Sequence, residues 1–239
     1  MGIPKTWGQL MLKNINMKLL VFHFMVIPLF VFGQTSEKLW IDLGVKHDFT
    51  KKLSVEAHVT NRFYYKGVQT FFPAVLVKYK IRKWLVPSLE YRGIFSENKY
   101  ENYDFKNRLN ANLELKKEYK RFTFSGRIRY QFSFDKLYET TDYNAEFDQS
   151  IRIKPSIKYK IKKSKFTPLV SIEYFYNPKY EENGRQFVKY RFSAGTDFDL
   201  DKKNSFSFSY ILDQQYNVAD PKRQHILSIS YTRNLTKKD

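Results

Sequence analysis

From Tyr103 to Phe134 the chain alternates apolar and polar residues for two long runs separated by one short polar turn. Tyr103, Phe105, Leu109, Ala111, Leu113 and Leu115 share one parity, with Asp104, Lys106, Arg108, Asn110, Asn112 and Glu114 on the other. After Lys120-Arg121 the pattern resumes: Phe122, Phe124, Ile128, Tyr130, Phe132 and Phe134 oppose Thr123, Ser125, Arg127, Arg129, Gln131 and Ser133. Successive side chains of a strand point to opposite faces, so this is a β-hairpin with one apolar and one charged face. Each run is about a dozen residues, twice the usual strand. Lipid supplies no hydrogen bonds to backbone, so strands cross it only as a closed barrel, apolar outside and polar inside. Long strands with an Arg-rich second face fit that requirement better than a sandwich, whose polar face meets water.

The rest of the chain repeats the pattern. Further alternating runs cover 39–49, 53–65, 71–81, 85–95, 147–161, 166–176, 188–200, 205–212 and 227–235, which makes eleven candidate strands with the template pair. No stretch has a helical period, and nothing marks a second domain. The expectation is an all-β, antiparallel transmembrane β-barrel of 10–12 strands. Single-chain bacterial barrels carry even strand numbers with both ends on the periplasmic side. Eleven candidates therefore imply either that the segment around Trp40 is not a stave or that one strand is missed. Pro73, Pro87 and Pro168 fall near strand starts, where a missing N–H costs little, whereas Pro155 falls mid-strand and suggests a bulge.

Connections alternate in kind. Lys51-Lys52, Arg82-Lys83, Lys116 to Arg121, Lys160 to Lys165 and Lys202-Lys203 are short and basic. Ser96–Asp104, Asp135–Glu146, Asn177–Gly184 and Asp213–Pro221 are longer and rich in Tyr, Asn and acids. Barrels keep short turns in the periplasm and long loops outside, so the C-terminus falls in the periplasm. Tyr64, Tyr65, Phe71, Phe72, Phe132, Phe134, Tyr174 and Tyr176 sit at strand ends, where interfacial girdles form.

At the N-terminus, Lys18 precedes an apolar run to Phe32 and the short-residue site Val31-Phe32-Gly33, so residues 1–33 read as an upstream extension and signal peptide and 34–239 as the barrel. The run is too short to span comfortably as a helix. The formal charge of +18 is spread through turns and alternating strands instead of one patch, so no nucleic-acid partner is expected. The chain has no Cys, which excludes disulfides and thiolate metal sites.

The signal-peptide pattern, Trp40, Tyr91-Arg92, Arg108, Arg127-Ile128-Arg129, Glu173 and the run Arg191 to Gly195, in this order, resemble a Gram-negative outer-membrane β-barrel family of unknown function. The resemblance covers Trp40 to Leu235. It implies location in the cell outer membrane, with outer-membrane lipid, lipopolysaccharide and the barrel-assembly machinery as partners. It supplies no ligand and no catalytic residue. The ending departs from the usual pattern, since Thr236 to Asp239 follow Leu235 in place of a final aromatic.

Chemistry is sparse. His58 shares a face with Ser54 and Glu56, but Ser54 lies four residues away, roughly 13 Å along a strand, too far for a nucleophile–base pair. Glu181-Glu182 and the other loop acids lack metal-ligand spacing, and no Gly-rich phosphate loop occurs. No cofactor, metal or catalytic set is expected. The remaining constellation is a lumen charge cluster: Arg62, Arg92, Arg108, Arg127, Arg129, Arg152 and Arg191 facing Glu56, Glu90, Glu114, Asp148 and Glu173. In so narrow a barrel these either interlock as a plug or line a porin-like passage for small polar or anionic solutes; a barrel enzyme acting on lipid or surface substrates is the least supported.

Overall fold

The computed structural model describes residues 36–98, 100–134, 144–145, 147–180 and 184–236. The signal-peptide reading of residues 1–33 and most of the Asp135–Glu146 loop lie outside these. Eleven strands occur among the described residues: β1 (Ser36–Asp48), β2 (Leu53–Tyr64), β3 (Gly67–Tyr79), β4 (Leu85–Glu97), β5 (Tyr103–Tyr119), β6 (Phe122–Ser133), β7 (Ser150–Tyr159), β8 (Phe166–Asn177), β9 (Gln186–Asp199), β10 (Asn204–Gln215) and β11 (Arg223–Asn234). Each pairs with its neighbours in chain order, and β11 closes on β1.

The even-number expectation is corrected here. The Trp40 segment is a stave, paired with β2 on one side and β11 on the other. In an up-and-down barrel every strand reverses the last, so an eleventh strand runs in the direction of the first. The closing pair is therefore parallel, in unbroken register from Ser36↔Gln224 to Lys46↔Asn234. Odd parity also separates the ends: β1 starts at the rim of the long loops, while β11 finishes at the rim of the short basic turns. The two ends of the barrel wall thus do not share a side.

Facing follows sequence parity. On β6, Phe124, Ile128, Tyr130 and Phe132 each expose 40% or more of their surface, while Arg129 and Gln131 expose 8% and 0%. The polarity of a water-soluble fold is inverted: large apolar groups lie outside and charged groups inside. Pro155 does not make a bulge. The β7–β8 ladder lapses beside it but resumes in the same register, from Ile153↔Tyr174 to Ser156↔Ser171. The register shifts instead between Arg62 and Phe63 and between Phe175 and Tyr176, near the long-loop rim.

Two glycines are demanded by close approach. Gly195 lies opposite Ser209, and a Cβ there would sit 2.1 Å from the Phe208 carbonyl oxygen. Gly44 faces His58 across the β1–β2 pair, and its Cβ would lie 2.6 Å from His58 Nδ1.

Candidate functional site

The inward parity of β4 to β10 gathers its charges around three carboxylates. Glu90 on β4 accepts from Arg92 Nε at 2.9 Å, from Asn110 Nδ2 on β5 at 3.2 Å and pairs with Arg129 on β6 at 2.9 Å. Arg129 in turn donates through Nε to Asn112 Oδ1 at 2.6 Å. Glu173 on β8 pairs with Arg127 at 2.7 Å, which reaches past β7 to find it, and with Arg191 on β9 at 3.9 Å. Asp213 on β10 receives Arg191 Nε at 2.8 Å and Lys189 Nζ at 2.9 Å. All three carboxylates expose 4% or less. Burying an unpaired carboxylate is costly, so each burial is compatible with folding only because two cations meet it.

Aromatic rings occupy the space between. Arg62 lies 3.9 Å over the Trp40 ring and 4.6 Å over Phe72. Arg152 and Lys189 lie 4.4 and 4.8 Å from Phe175, and Arg191 is 4.8 Å from Trp40. Guanidinium groups stack on ring faces while keeping their in-plane N–H groups for hydrogen bonds. Arg108, 1% exposed, donates to Gln131 Oε1 at 3.2 Å, and Arg152 donates to the same oxygen. The long-loop side of this belt is capped by Ala145, Phe175 and Val188, with Val218 packed on them.

The structure thus brings together Arg92, Arg127, Arg129, Arg191, Glu90 and Glu173 of the expected cluster. Arg62, Arg108 and Arg152 sit in the same belt, but ring faces and amide oxygens meet them there. Glu56 lies lower, bonded by Lys78 Nζ at 2.8 and 2.9 Å. Glu114 is half-buried opposite Arg127, whose guanidinium turns to Glu173 instead. Asp148 stands at the long-loop mouth, accepting the Asn144 N–H at 2.7 Å with Lys179 at 4.0 Å. Sequence reasoning missed Asp213, Lys189, Gln131 and Phe175, whose inward parity was the available signal; Phe72, expected in an interfacial girdle, is corrected to the interior, 1% exposed beneath the Arg62 guanidinium, because its parity on β3 is inward.

Below the belt, His58 is held between two carboxylates, with Nδ1 3.1 Å from Asp42 Oδ1 and Nε2 3.4 Å from Glu56 Oε2. The Thr60 hydroxyl donates to Asp42 Oδ2 at 2.5 Å, so it is turned away from the histidine. With both ring nitrogens engaged by carboxylates, His58 ties β2 to Asp42 of β1. Among the described residues no group of His, Asp and Glu has the geometry of a metal site.

A closed meander with an apolar outer wall and an ion-paired, aromatic-lined interior defines the class: an all-β single-layer barrel with a polar interior. Within that class the chain belongs to the family described as "Protein of unknown function (DUF2490)", which matches residues 37–225. No curated protein matches the chain.

Proposed function

We propose that this protein is an outer-membrane β-barrel whose lumen is closed by the ion-pair belt, a rigid structural or interaction barrel presenting its long loops on the outer side. The membrane reading is supported by the outer wall. From Phe122 to Phe132 the outward face of β6 is apolar throughout. That stretch rises about 33 Å along the strand. At a tilt of roughly 35–45° it projects to about 25 Å, the height of the apolar band in membrane barrels. Aromatic pairs flank the band at both rims: Phe95–Phe105 at 4.8 Å on the long-loop side, and Phe122–Tyr159 at 4.9 Å and Phe166–Phe198 at 4.8 Å on the short-turn side. The N-terminal signal sequence, with a mature start at Gln34, and engagement of the barrel-assembly machinery and of lipopolysaccharide belong to the same reading.

The observation that carries the closed lumen is burial. Arg108, Gln131, Asn110 and Glu173 expose between 0% and 3% in the long-loop half of the wall; a water-filled passage would wet them. A second reading, a narrow porin-like passage for small anionic solutes, is favoured by the charge balance. Among the described residues the belt carries Arg62, Arg92, Arg108, Arg127, Arg129, Arg152, Lys154, Lys189 and Arg191 but only Glu90, Glu173 and Asp213, and rings of cations select anions. Planar-bilayer recording of the purified protein separates the two. A silent wild type supports the closed barrel; steady anion-selective conductance replaces it with the passage. Fractionation with the cytosol would sink the membrane reading altogether.

A further inference from the structure

Five short turns lie together at the rim where β11 ends, and each is basic, while the two-residue Tyr65-Lys66 turn lies at the other rim. Lys51-Lys52, Arg82-Lys83, Lys120-Arg121 and Lys162-Lys163 are all exposed, and Lys202 joins them beside half-buried Lys203. The acids nearby are fewer than these basic groups, and Asp48, Glu118 and Asp201 each have a local partner. Asp48 is paired with Lys46 at 3.1 Å and Glu118 with Lys116 at 2.7 Å. Asp201 folds back to accept the Lys203 and Asn204 N–H groups of its own turn, each at 2.7 Å.

Depth is set by the neighbouring aromatics. Tyr79, Trp84, Tyr119, Phe122 and Phe166 stand outward and exposed, a few residues before or after these turns. The row continues through the cross-strand neighbours Phe166, Phe198, Phe206 and Tyr231. Outward aromatic rings sit at the headgroup level of a bilayer. The Lys and Arg side chains one step beyond therefore stand at the level of headgroup phosphates, where basic groups attract anionic lipid. One recess of about 700 Å³ opens at this rim, lined among others by Lys46, Lys165, Lys202 and Lys203, with Asp199 and Asp201 also in its wall.

We propose that this rim is a docking surface for anionic glycerophospholipid headgroups of the periplasm-facing leaflet, taken between the Lys and Arg pairs of adjacent turns. The inference rests on the outer-membrane reading above with the short turns inward. It selects phospholipid over lipopolysaccharide, because the latter lies in the leaflet at the other rim.

The test is lipid retention by the full-length mature barrel, purified from mixed micelles and weighed by native mass spectrometry. Heat-modifiability in phosphatidylcholine bilayers runs alongside, to report folding independently. Phosphatidylglycerol is expected to be retained at least about tenfold better than phosphatidylcholine, with the preference collapsing above about 0.5 M salt. The combined change of Lys51→Gln, Lys52→Gln, Lys162→Gln and Lys163→Gln should remove most of that preference while the barrel still folds. Equal retention of the two lipids by wild type overturns the proposal, whether or not the variant folds, as does an unchanged preference in the variant. Competition by inorganic phosphate at matched ionic strength, as strong as that by phosphatidylglycerol, would make the rim a soluble-anion site and also overturn it. Failure to insert into phosphatidylcholine bilayers defeats the membrane reading itself, and the docking surface with it.

Discussion

Replacing Arg127 with Ser removes the close partner of a carboxylate that exposes 3% of its surface. Among the described residues Glu173 then keeps its ion pair with Arg191 at 3.9 Å and the more distant charges of Arg152 and Lys154, while the Arg191 guanidinium is already committed to Asp213 at 2.5 Å. Removing one member of a buried pair costs about 3–5 kcal/mol, because the other charge is left without compensation. The Arg127 side chain is itself 28% exposed and water can enter where it leaves, so Arg127→Ser is expected near the lower end, at about 3 kcal/mol. Arg129→Ser is gentler, since Glu90 keeps Arg92 and Asn110. The loss of one charged hydrogen bond corresponds to roughly 1.5–3 kcal/mol. Glu114→Gln is the control: it is half-buried, lies opposite Arg127 and makes no ion pair among the described residues, so its cost should stay within about 0.5 kcal/mol. Reversible urea unfolding from lipid vesicles measures all three. The order Arg127→Ser, then Arg129→Ser, then Glu114→Gln is expected. A Glu114→Gln penalty equal to that of Arg127→Ser, or an Arg127→Ser penalty below about 0.5 kcal/mol, would refute the belt as the element holding the wall.

Outward and inward positions should differ sharply in the same assay: Ile128→Arg places a charge in mid-band at a cost of roughly 2–4 kcal/mol. Phe124→Arg, nearer the rim, should cost less, and Ser125→Arg, on the lumen side beside Ser156, less again; equal costs would invert the facing. Gly195→Ala should block assembly in a heat-modifiability gel because its Cβ meets backbone, whereas Gly126→Ala, with nothing within 4 Å, should assemble normally. Gly44→Ala pushes the His58 ring off Asp42 and is expected to destabilise by about 1–3 kcal/mol; in a His58→Ala background the penalty should largely vanish, and an undiminished penalty there would place its cause in the backbone.

Alternation by two told which side of each strand points inward, because a strand offers only two faces and here the two differ in polarity. The same periodicity separated short basic turns from long loops and showed that the inward face is charged. The odd strand count had to await closure. The β1–β11 seam joins residues almost two hundred positions apart, and nothing local in Ser36–Asp48 reveals whether its second edge is filled. Partner choice inside the lumen was equally illegible. Arg127 passes over its register neighbour Glu114 to reach Glu173 two strands away, and Asp213 is shared by two cations of β9. Long flexible side chains on a curved wall can pass over the adjacent strand to choose partners on the next. That geometry exists only once the wall has curved round on itself, because the curvature brings alternate strands, β4 with β6 and β6 with β8, within one side chain's reach.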